Sequence, residues 1–167
     1  MRPFKQILLS AATGISALLF CAPTASAAVG AGADSFPPHE ETFQLVAKQT
    51  QGTFVDVDGS GGPSQGDEFV ISGDLLRAGI PVGTYSEICT LTRTAPGDEF
   101  DLQCAPVLAL PLGQITAQGR FTVTSAGPGN IDLAITGGTG RFRTAHGNIH
   151  AVNVSDTETT LTVHLIR

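Results

Sequence analysis

A glycine-rich segment between two strand-like runs is the feature that most restricts how this chain can fold. Residues 134–149 read AITGGTGRFRTAHGNI, and Gly137, Gly138 and Gly140 allow positive φ and a close approach of the backbone. A dinucleotide-binding G-x-G-x-x-G motif starting at Gly138 would require glycine where Arg143 stands, and no Walker lysine follows. The segment therefore predicts a tight turn between two strands of an all-β fold, and not a phosphate-binding loop.

Eight β-strands are predicted along the chain, and glycine, proline or aspartate marks nearly every junction between them. No segment shows the apolar period of an amphipathic helix. We expect the strands at residues 43–56, 67–77, 82–94, 100–110, 113–124, 130–136, 146–154 and 157–166. Eight strands joined by short turns form either a sandwich or an antiparallel up-and-down barrel, and barrel closure removes exposed strand edges.

The first residues have the pattern of a secretory signal peptide. Arg2 and Lys5 give a positive start, residues 7–20 form an apolar run, and residues 25–27 (ASA) match the small-x-small pattern of a cleavage site. The apolar run is too short for a membrane span, which takes about 20 residues. The pattern therefore predicts a secreted protein.

The expected domain organisation follows from this leader. We expect a signal peptide over residues 1–27, with cleavage after Ala27. A flexible arm is expected over residues 28–41, which are small, acidic and rich in proline. The remaining residues, 42–167, are long enough for one domain with its own core.

The cysteines fit a disulfide. Cleavage of the leader would remove Cys21 and leave Cys89 and Cys104 as an even pair in an oxidising compartment. A hairpin centred between Pro96 and Gly97 brings Cys89 opposite Cys104, within reach of a disulfide. The other pairs in this register are Leu91–Leu102 and Arg93–Phe100 on one face, and Thr90–Gln103 and Thr92–Asp101 on the other. This arrangement favours a structural disulfide over a redox or metal role.

Strand alternation predicts which residues face the interior. An eight-stranded barrel is just wide enough to be filled by side chains or to hold one small ligand. Gly73, Ala117 and Gly119 share the inward faces and would leave space for a cavity, and a solid core is the alternative. The expected ligand contacts are Phe69, Ile71, Leu91, Ile115, Phe121, Leu133, Leu161 and Val163.

The glycine segment resembles the signature of the dirigent and allene oxide cyclase families. The match is carried by its three glycines and by Thr139, Phe142, Ala145 and Gly147. Weaker matches are residues 66–69, 82–83 and 113–115, the cysteine pair, and Gly119. The resemblance implies an eight-stranded antiparallel barrel rather than a sandwich, a largely apolar pocket, no metal or organic cofactor, and a homotrimer.

The resemblance also implies a range of activities. Dirigent proteins steer the coupling of phenoxy radicals or assist elimination and cyclisation, and allene oxide cyclases close an oxygenated fatty-acid derivative into a cyclopentenone. Related bacterial barrels fold a polyketide chain for cycloaddition. This chain departs from both families, because His146 stands where plant dirigents have arginine and no glutamate lies near Arg143 as in allene oxide cyclases. Either reaction is therefore only an expectation here.

Four polar residues are candidates for chemistry: Asp74, Tyr85, Arg143 and His146. Tyr85 could donate a hydrogen bond at the barrel mouth, Arg143 could bind an anionic group, and His146 could titrate near neutral pH. Asp74 could be a pocket acid, although it shares strand parity with Glu68, which favours an outward position. Each also has a plain structural alternative as a solvated or packed side chain.

No metal site is predicted. His146 and His150 would lie about 13 Å apart on one strand, too far to share an ion. Residues 56–61 resemble the start of a calcium loop with Asp67 at its twelfth position, but the usual glutamate is absent and strands flank the segment. The segment is better interpreted as a polar turn.

Composition limits the partners. The net charge of −6 and the isoelectric point near 5.0 argue against nucleic acid and anionic membranes. Outward apolar residues such as Val70, Leu76 and Val107 would allow self-association. We therefore predict a secreted barrel that binds a small hydrophobic molecule and guides its cofactor-free cyclisation or coupling. The alternative is a non-catalytic carrier or surface-interaction protein.

Overall fold

Eight antiparallel strands close into a barrel in the computed structural model, which describes residues 39–167. Each strand pairs with the next along the chain, and the last pairs with the first. The strands are β1 (Glu40–Val55), β2 (Glu68–Arg77), β3 (Ile80–Ala95), β4 (Glu99–Leu110), β5 (Gly113–Val123), β6 (Ile131–Gly138), β7 (His146–Asn153) and β8 (Glu158–Ile166). The predicted all-β barrel is confirmed.

Most strand boundaries differ from the sequence prediction by one to three residues, and two of these differences have a clear reason or consequence. The predicted signal peptide and most of the predicted arm lie outside the described residues, but β1 begins at Glu40, so the last two residues of the arm belong to the barrel. Strand β3 begins at Ile80 because Ala78 and Gly79 alone form the turn, with φ of +51° and +77°. Two consecutive residues with positive φ reverse a hairpin tightly, so the turn is shorter than expected.

The two ends of the barrel differ. We call one the mouth end, which carries the connections at residues 56–67, 96–98, 124–130 and 154–157. The other is the plug end, which carries the connections at residues 78–79, 111–112 and 139–145 together with the start of β1 and the end of β8. Within the described residues, no helix has the length and hydropathy that a membrane span requires.

The glycine-rich segment forms the plug rather than a tight turn. Strand β6 ends at Gly138, a 3₁₀ helix follows at Gly140–Phe142, and the Phe142 side chain is buried in the barrel core. Gly140 has a φ of +58°, and a Cβ there would collide with the carbonyl oxygen of Leu112. The predicted tight turn is wrong, because burying Phe142 requires the chain to fold inward between β6 and β7.

Buried apolar side chains form two clusters. The larger extends along the barrel and is densest near the plug, where Leu75, Ile115, Val163 and Leu165 are all 0–1% exposed. The smaller lies on the β3–β4 hairpin and consists of Cys89, Leu91, Leu102 and Cys104. The interior is therefore filled at one end.

The β3–β4 hairpin contains the predicted disulfide. Cys89 faces Cys104 with a Cα–Cα distance of 4.0 Å, and Leu91 faces Leu102 as expected. The register shifts between Leu91 and Arg93, so Arg93 faces Asp101. The predicted pairs Arg93–Phe100 and Thr92–Asp101 are therefore wrong. One extra residue in one strand turns the side chains that follow onto the other face.

The shift brings Arg93 to a buried carboxylate. The Asp101 side chain is 1% exposed and accepts hydrogen bonds from Arg93 on β3 and from Arg120 and Thr122 on β5. These donors hold the pKa of Asp101 well below its usual range, Arg93 contributing most. Asp101 thus ties three neighbouring strands together on the outer wall.

Replacing both cysteines by alanine should lower the free energy of unfolding by about 3 kcal/mol, because the bond closes a loop with a sequence separation of 15. The fold should persist, since the bond acts mainly on the unfolded chain. Urea unfolding monitored by circular dichroism measures the change, and wild type reduced with dithiothreitol is the control. Unchanged stability, or alkylation of two thiols in the oxidised native protein, would contradict the assignment.

Replacing Asp101 by asparagine should lower the urea midpoint at pH 7 and flatten the loss of stability on acidification. Because the pKa of Asp101 is lower in the folded than in the unfolded protein, its contribution is present above about pH 4 and is lost as the pH falls further. Asp98→Asn is the matched control, because Asp98 lies exposed in the β3–β4 turn. Equal effects of the two substitutions would contradict this role.

Candidate active site

A cavity of about 630 Å³ opens at the mouth end of the barrel, and all eight strands contribute to its wall. The lining is mainly apolar, and the 154–157 connection and Pro128 lie at its rim. The inward side chains are Ala47, Gln49, Phe69, Ile71, Tyr85, Glu87, Cys89, Phe100, Leu102, Pro106, Leu108, Phe121, Val123, Ile131, Leu133, Ile149, Ala151, Asn153, Thr159 and Leu161.

Small side chains at the wall leave this space open. Ala47 on β1 and Ala151 on β7 are both buried and line the cavity. The predicted space at Gly73 and Gly119 is not there, because a Cβ at Gly73 would collide with the Lys48 carbonyl oxygen and one at Gly119 would lie 2.6 Å from the Leu133 side chain. These two glycines instead allow neighbouring strands to approach closely.

Glu87 places a carboxyl group in the cavity wall. It lies on β3 two residues before Cys89, and a carboxylate oxygen is within 4.8 Å of both disulfide sulfurs. It has no salt-bridge partner within the described part of the chain. Burial raises the pKa of Glu87 from 4.5 to about 7. At neutral pH the group is therefore divided between its acid and its carboxylate form.

Tyr85 is the neighbour of Glu87 on the same face of β3. Burial raises the pKa of the Tyr85 hydroxyl, and the charge of Glu87 raises it further. The phenol therefore stays protonated at neutral pH and can donate a hydrogen bond into the cavity. Together the two residues offer a donor and a group that can give or take a proton, against an otherwise apolar wall.

The four predicted polar candidates are not brought together. Tyr85 lines the cavity, but Asp74, Arg143 and His146 are exposed and lie outside it. Asp74 points outward from β2, in agreement with its parity. Arg143 and His146 flank the end of the plug, where the His146 ring nitrogen Nδ1 lies 3.2 Å from the Thr144 carbonyl oxygen.

The predicted ligand contacts divide into two groups. Phe69, Ile71, Phe121, Leu133 and Leu161 line the cavity. The other three are 0% exposed and do not line it: Ile115 and Val163 lie in the filled half near the plug, and Leu91 packs in the smaller cluster with Leu102 and the disulfide. Parity predicted the inward direction of all eight, but not their depth along the barrel.

Sequence reasoning missed Glu87 and Gln49, which both line the cavity. The signal for Glu87 was present, because the hairpin register that turns Cys89 inward also turns every second residue before it inward. Gln49 had a similar signal, because it lies two residues after Ala47 on β1. The register of β1 against β2 shifts just after it, between Gln49 and Gln51.

The calcium-like segment forms a hydrogen-bonded turn. Asp67 is 0% exposed, and its two carboxylate oxygens accept hydrogen bonds from the backbone N–H groups of Val57 and Ser64 at 2.9 and 2.7 Å. Asp56 likewise accepts from Gly59 and Gly61 at 2.7 and 2.9 Å. These carboxylates therefore have a structural role, which is to fix the β1–β2 connection beside the mouth.

A closed eight-stranded antiparallel barrel, plugged at one end and hollow at the other, defines the class of protein. The chain belongs to the family described as the allene oxide cyclase barrel like domain, whose model matches residues 42–165. A search of the curated proteins returns no match. The predicted resemblance to this family is confirmed.

Several solved structures share the fold. A pyocyanin demethylase is 26% identical with a TM-score of 0.65, and the match covers 75% of this chain and 99% of that one. An exo-specific intermolecular Diels-Alderase is 16% identical with a TM-score of 0.62, covering 79% and 100%. A pterocarpan synthase dirigent protein is 18% identical with a TM-score of 0.52, covering 78% and 83%. The last two show the likeness of fold alone.

Replacing Glu87 by glutamine should stabilise the protein at pH 8 and have little effect at pH 4. The pKa of Glu87 is higher in the folded than in the unfolded protein, so wild type loses stability as the pH rises from 4.5 through about 7. The loss should reach about 3 kcal/mol. Chemical denaturation at both pH values measures it, and Glu40→Gln, at the exposed start of β1, is the control. Equal stabilities of wild type and Glu87→Gln at pH 8 would contradict the burial of this carboxyl.

Proposed function

We propose that this protein is a secreted barrel that binds a small hydrophobic molecule in the mouth-end cavity and guides its cofactor-free cyclisation or coupling. The observation that carries the proposal is the cavity itself, with a volume of about 630 Å³ and a mainly apolar wall that contains the partly buried carboxyl group of Glu87. Cavities of about 300–1,000 Å³ suit small organic ligands. A rigid wall of this size favours one ligand conformer over the others.

Holding one conformer is itself catalytic for an intramolecular reaction. Fixing two reacting groups in a productive geometry removes several kcal/mol from a barrier, without any cofactor. The barrel wall is suited to this, because the wall residues stand on paired strands and loop residues contribute only at the rim. The cavity therefore suits a flexible or cyclic substrate whose reacting groups must be held in one conformation.

Glu87 and Tyr85 supply the polar chemistry in this proposal. A carboxyl with a pKa of about 7 can donate a proton to one site and accept it from another near neutral pH. The Tyr85 hydroxyl would stabilise a negative charge that develops on a ligand oxygen. Both groups lie on one strand face, so a ligand oriented by one is presented to the other.

The related structures favour an enzyme over an inert scaffold. They include an intermolecular Diels-Alderase and a pterocarpan synthase dirigent protein, both named for reactions that form organic molecules. The pyocyanin demethylase is named for a reaction on a small molecule. For this chain, these names suggest the class of reaction and leave the substrate to experiment.

A non-catalytic carrier is the second candidate, and one observation favours it. Among the residues that line the cavity, only Tyr85, Glu87 and Asp156 can titrate, since Cys89 is in a disulfide. A carrier needs only an apolar wall and an orienting group. The enzyme and the carrier differ in whether the bound molecule is converted, and only in the enzyme would Glu87 affect the rate.

Secretion is supported by two independent observations. Residues 1–27 have the pattern of a signal peptide. The disulfide is typical of an oxidising compartment. A homotrimer, implied by the family resemblance, remains a prediction that native mass spectrometry would test.

Binding is tested with the fluorescent probe N-phenyl-1-naphthylamine and a variant that fills the cavity. Ala151→Phe should weaken binding by about tenfold or more, because the added ring would occupy the part of the cavity next to β7. Ala105→Phe is the matched control, since Ala105 is exposed on the outer face of β4. Equal binding by the two variants, both folded by circular dichroism, would contradict the cavity as the binding site.

Catalysis is tested by incubating the protein with reactive polyenes, phenols and oxygenated fatty acids and analysing products by mass spectrometry. If it is an enzyme, Glu87→Gln should lower kcat by about 10²–10⁴-fold and leave probe binding nearly unchanged. Binding without any turnover across these classes would support the carrier instead.

A further inference from the structure

A second cavity, of about 360 Å³, lies at the plug end of the barrel. Its floor is apolar and consists of Phe43, Leu45, Val82, Leu110 and Phe142. Leu45 and Phe142 are 2% and 7% exposed, so the floor reaches into the core. The plug-end pocket and the mouth-end cavity have no lining residue in common.

The cations of this protein are distributed unevenly around the pocket. Within residues 39–167, every lysine and arginine forms a salt bridge except Arg77, Arg141 and Arg143. All three lie at the plug end, and Arg77 and Arg141 line the pocket. The chain carries a net charge of −6, and this end holds three arginines that form no salt bridge among the described residues.

The pocket rim has little negative charge to balance these arginines. Glu41 is the one carboxylate among the lining residues, and it already pairs with Arg167. The Arg77 guanidinium carbon lies 5.7 Å from the centre of the Phe43 ring. This cation–π contact holds the charge over the apolar floor. The pocket therefore combines two cationic groups at its edge with an apolar interior.

We propose that the plug-end pocket binds an anionic amphiphile, namely a carboxylate on a small apolar body. The planar guanidinium groups of Arg77 and Arg141 match a carboxylate and would receive it at the rim. The apolar body would pack on Phe43, Leu110 and Phe142. This site is independent of the reaction proposed for the mouth-end cavity.

A membrane surface is the competing partner. Ile80 at the start of β3 and Leu112 in the β4–β5 turn are 66% and 57% exposed, and Arg143 is at the same end of the barrel. The recessed floor favours the soluble amphiphile, because Leu45 and Phe142 lie below the rim, where a bilayer surface does not reach. The two partners also require different arginines, since Arg143 does not line the pocket.

Isothermal titration with sodium decanoate, below its micelle concentration, tests the proposal. Decanoate should bind at one site, and decyltrimethylammonium should bind at least about tenfold more weakly, because its charge is reversed. The double variant Arg77→Gln/Arg141→Gln should weaken decanoate binding about tenfold or more. Arg143→Gln, a matched change at an exposed arginine, should stay within about twofold of wild type.

Three results would overturn the proposal. The first is decanoate binding that is unaffected by the double variant. The second is loss of decanoate binding in Ala151→Phe, which would place the ligand in the mouth-end cavity and leave the proposed function intact. The third is sedimentation with phosphatidylglycerol vesicles that Arg143→Gln weakens as much as the double variant, without saturable decanoate binding. That result would assign this end to a membrane.

Discussion

The pairing of β8 with β1 is the contact on which the rest of the structure depends. It runs without a break from Glu40–Ile166 to Lys48–Glu158 and turns an open sheet into a barrel. Without it the inner face would be exposed, and neither cavity would exist. Gly147 makes a close approach possible beside this closure, because it has a φ of +122° and a Cβ there would collide with the His164 carbonyl oxygen.

Closure encloses one interior, which the side chains divide into two unequal halves. Phe142 and the large aliphatic residues fill the plug half, whereas Ala47 and Ala151 leave the mouth half open. The carboxyl of Glu87 is placed in that open half, where burial works against its charge. The disulfide and the Asp101 hydrogen bonds hold the surrounding strands, so the cavity keeps its shape although it is not filled.

Much of the fold could be predicted from the sequence, because it depends on local patterns. Turn residues and alternation placed all eight strands to within a few residues, and the Cys89–Cys104 register followed from one turn. The shift after Leu91 could not be predicted this way. It inserts one residue and brings Arg93 to Asp101. The Asp101 carboxylate also binds Arg120 and Thr122 on β5, and the local turn pattern contains no sign of these β5 partners. The plug was missed for the same reason, since Phe142 is buried by strands far away in sequence.

The candidate site was less predictable than the fold. Alternation tells which side chains face inward, and it found five of the apolar wall residues, whereas Tyr85 was a candidate because of its residue type and its place near a strand start. It does not tell how deep a residue lies, so Ile115 and Val163 were placed with the ligand although they pack in the filled half. The pKa of Glu87 depends on the combined burial by several strands, which no single stretch of sequence contains.

The most direct test of this account is the ionisation of Glu87 in the ligand-free protein. A titration of its side-chain carboxyl carbon by ¹³C NMR, assigned with Glu87→Gln, gives the pKa of this one group. The account predicts a midpoint near 7, because the carboxyl is buried in the wall of an apolar cavity. A midpoint near 4.5 would mean that water solvates the group freely, and would contradict the cavity as a site for acid–base chemistry.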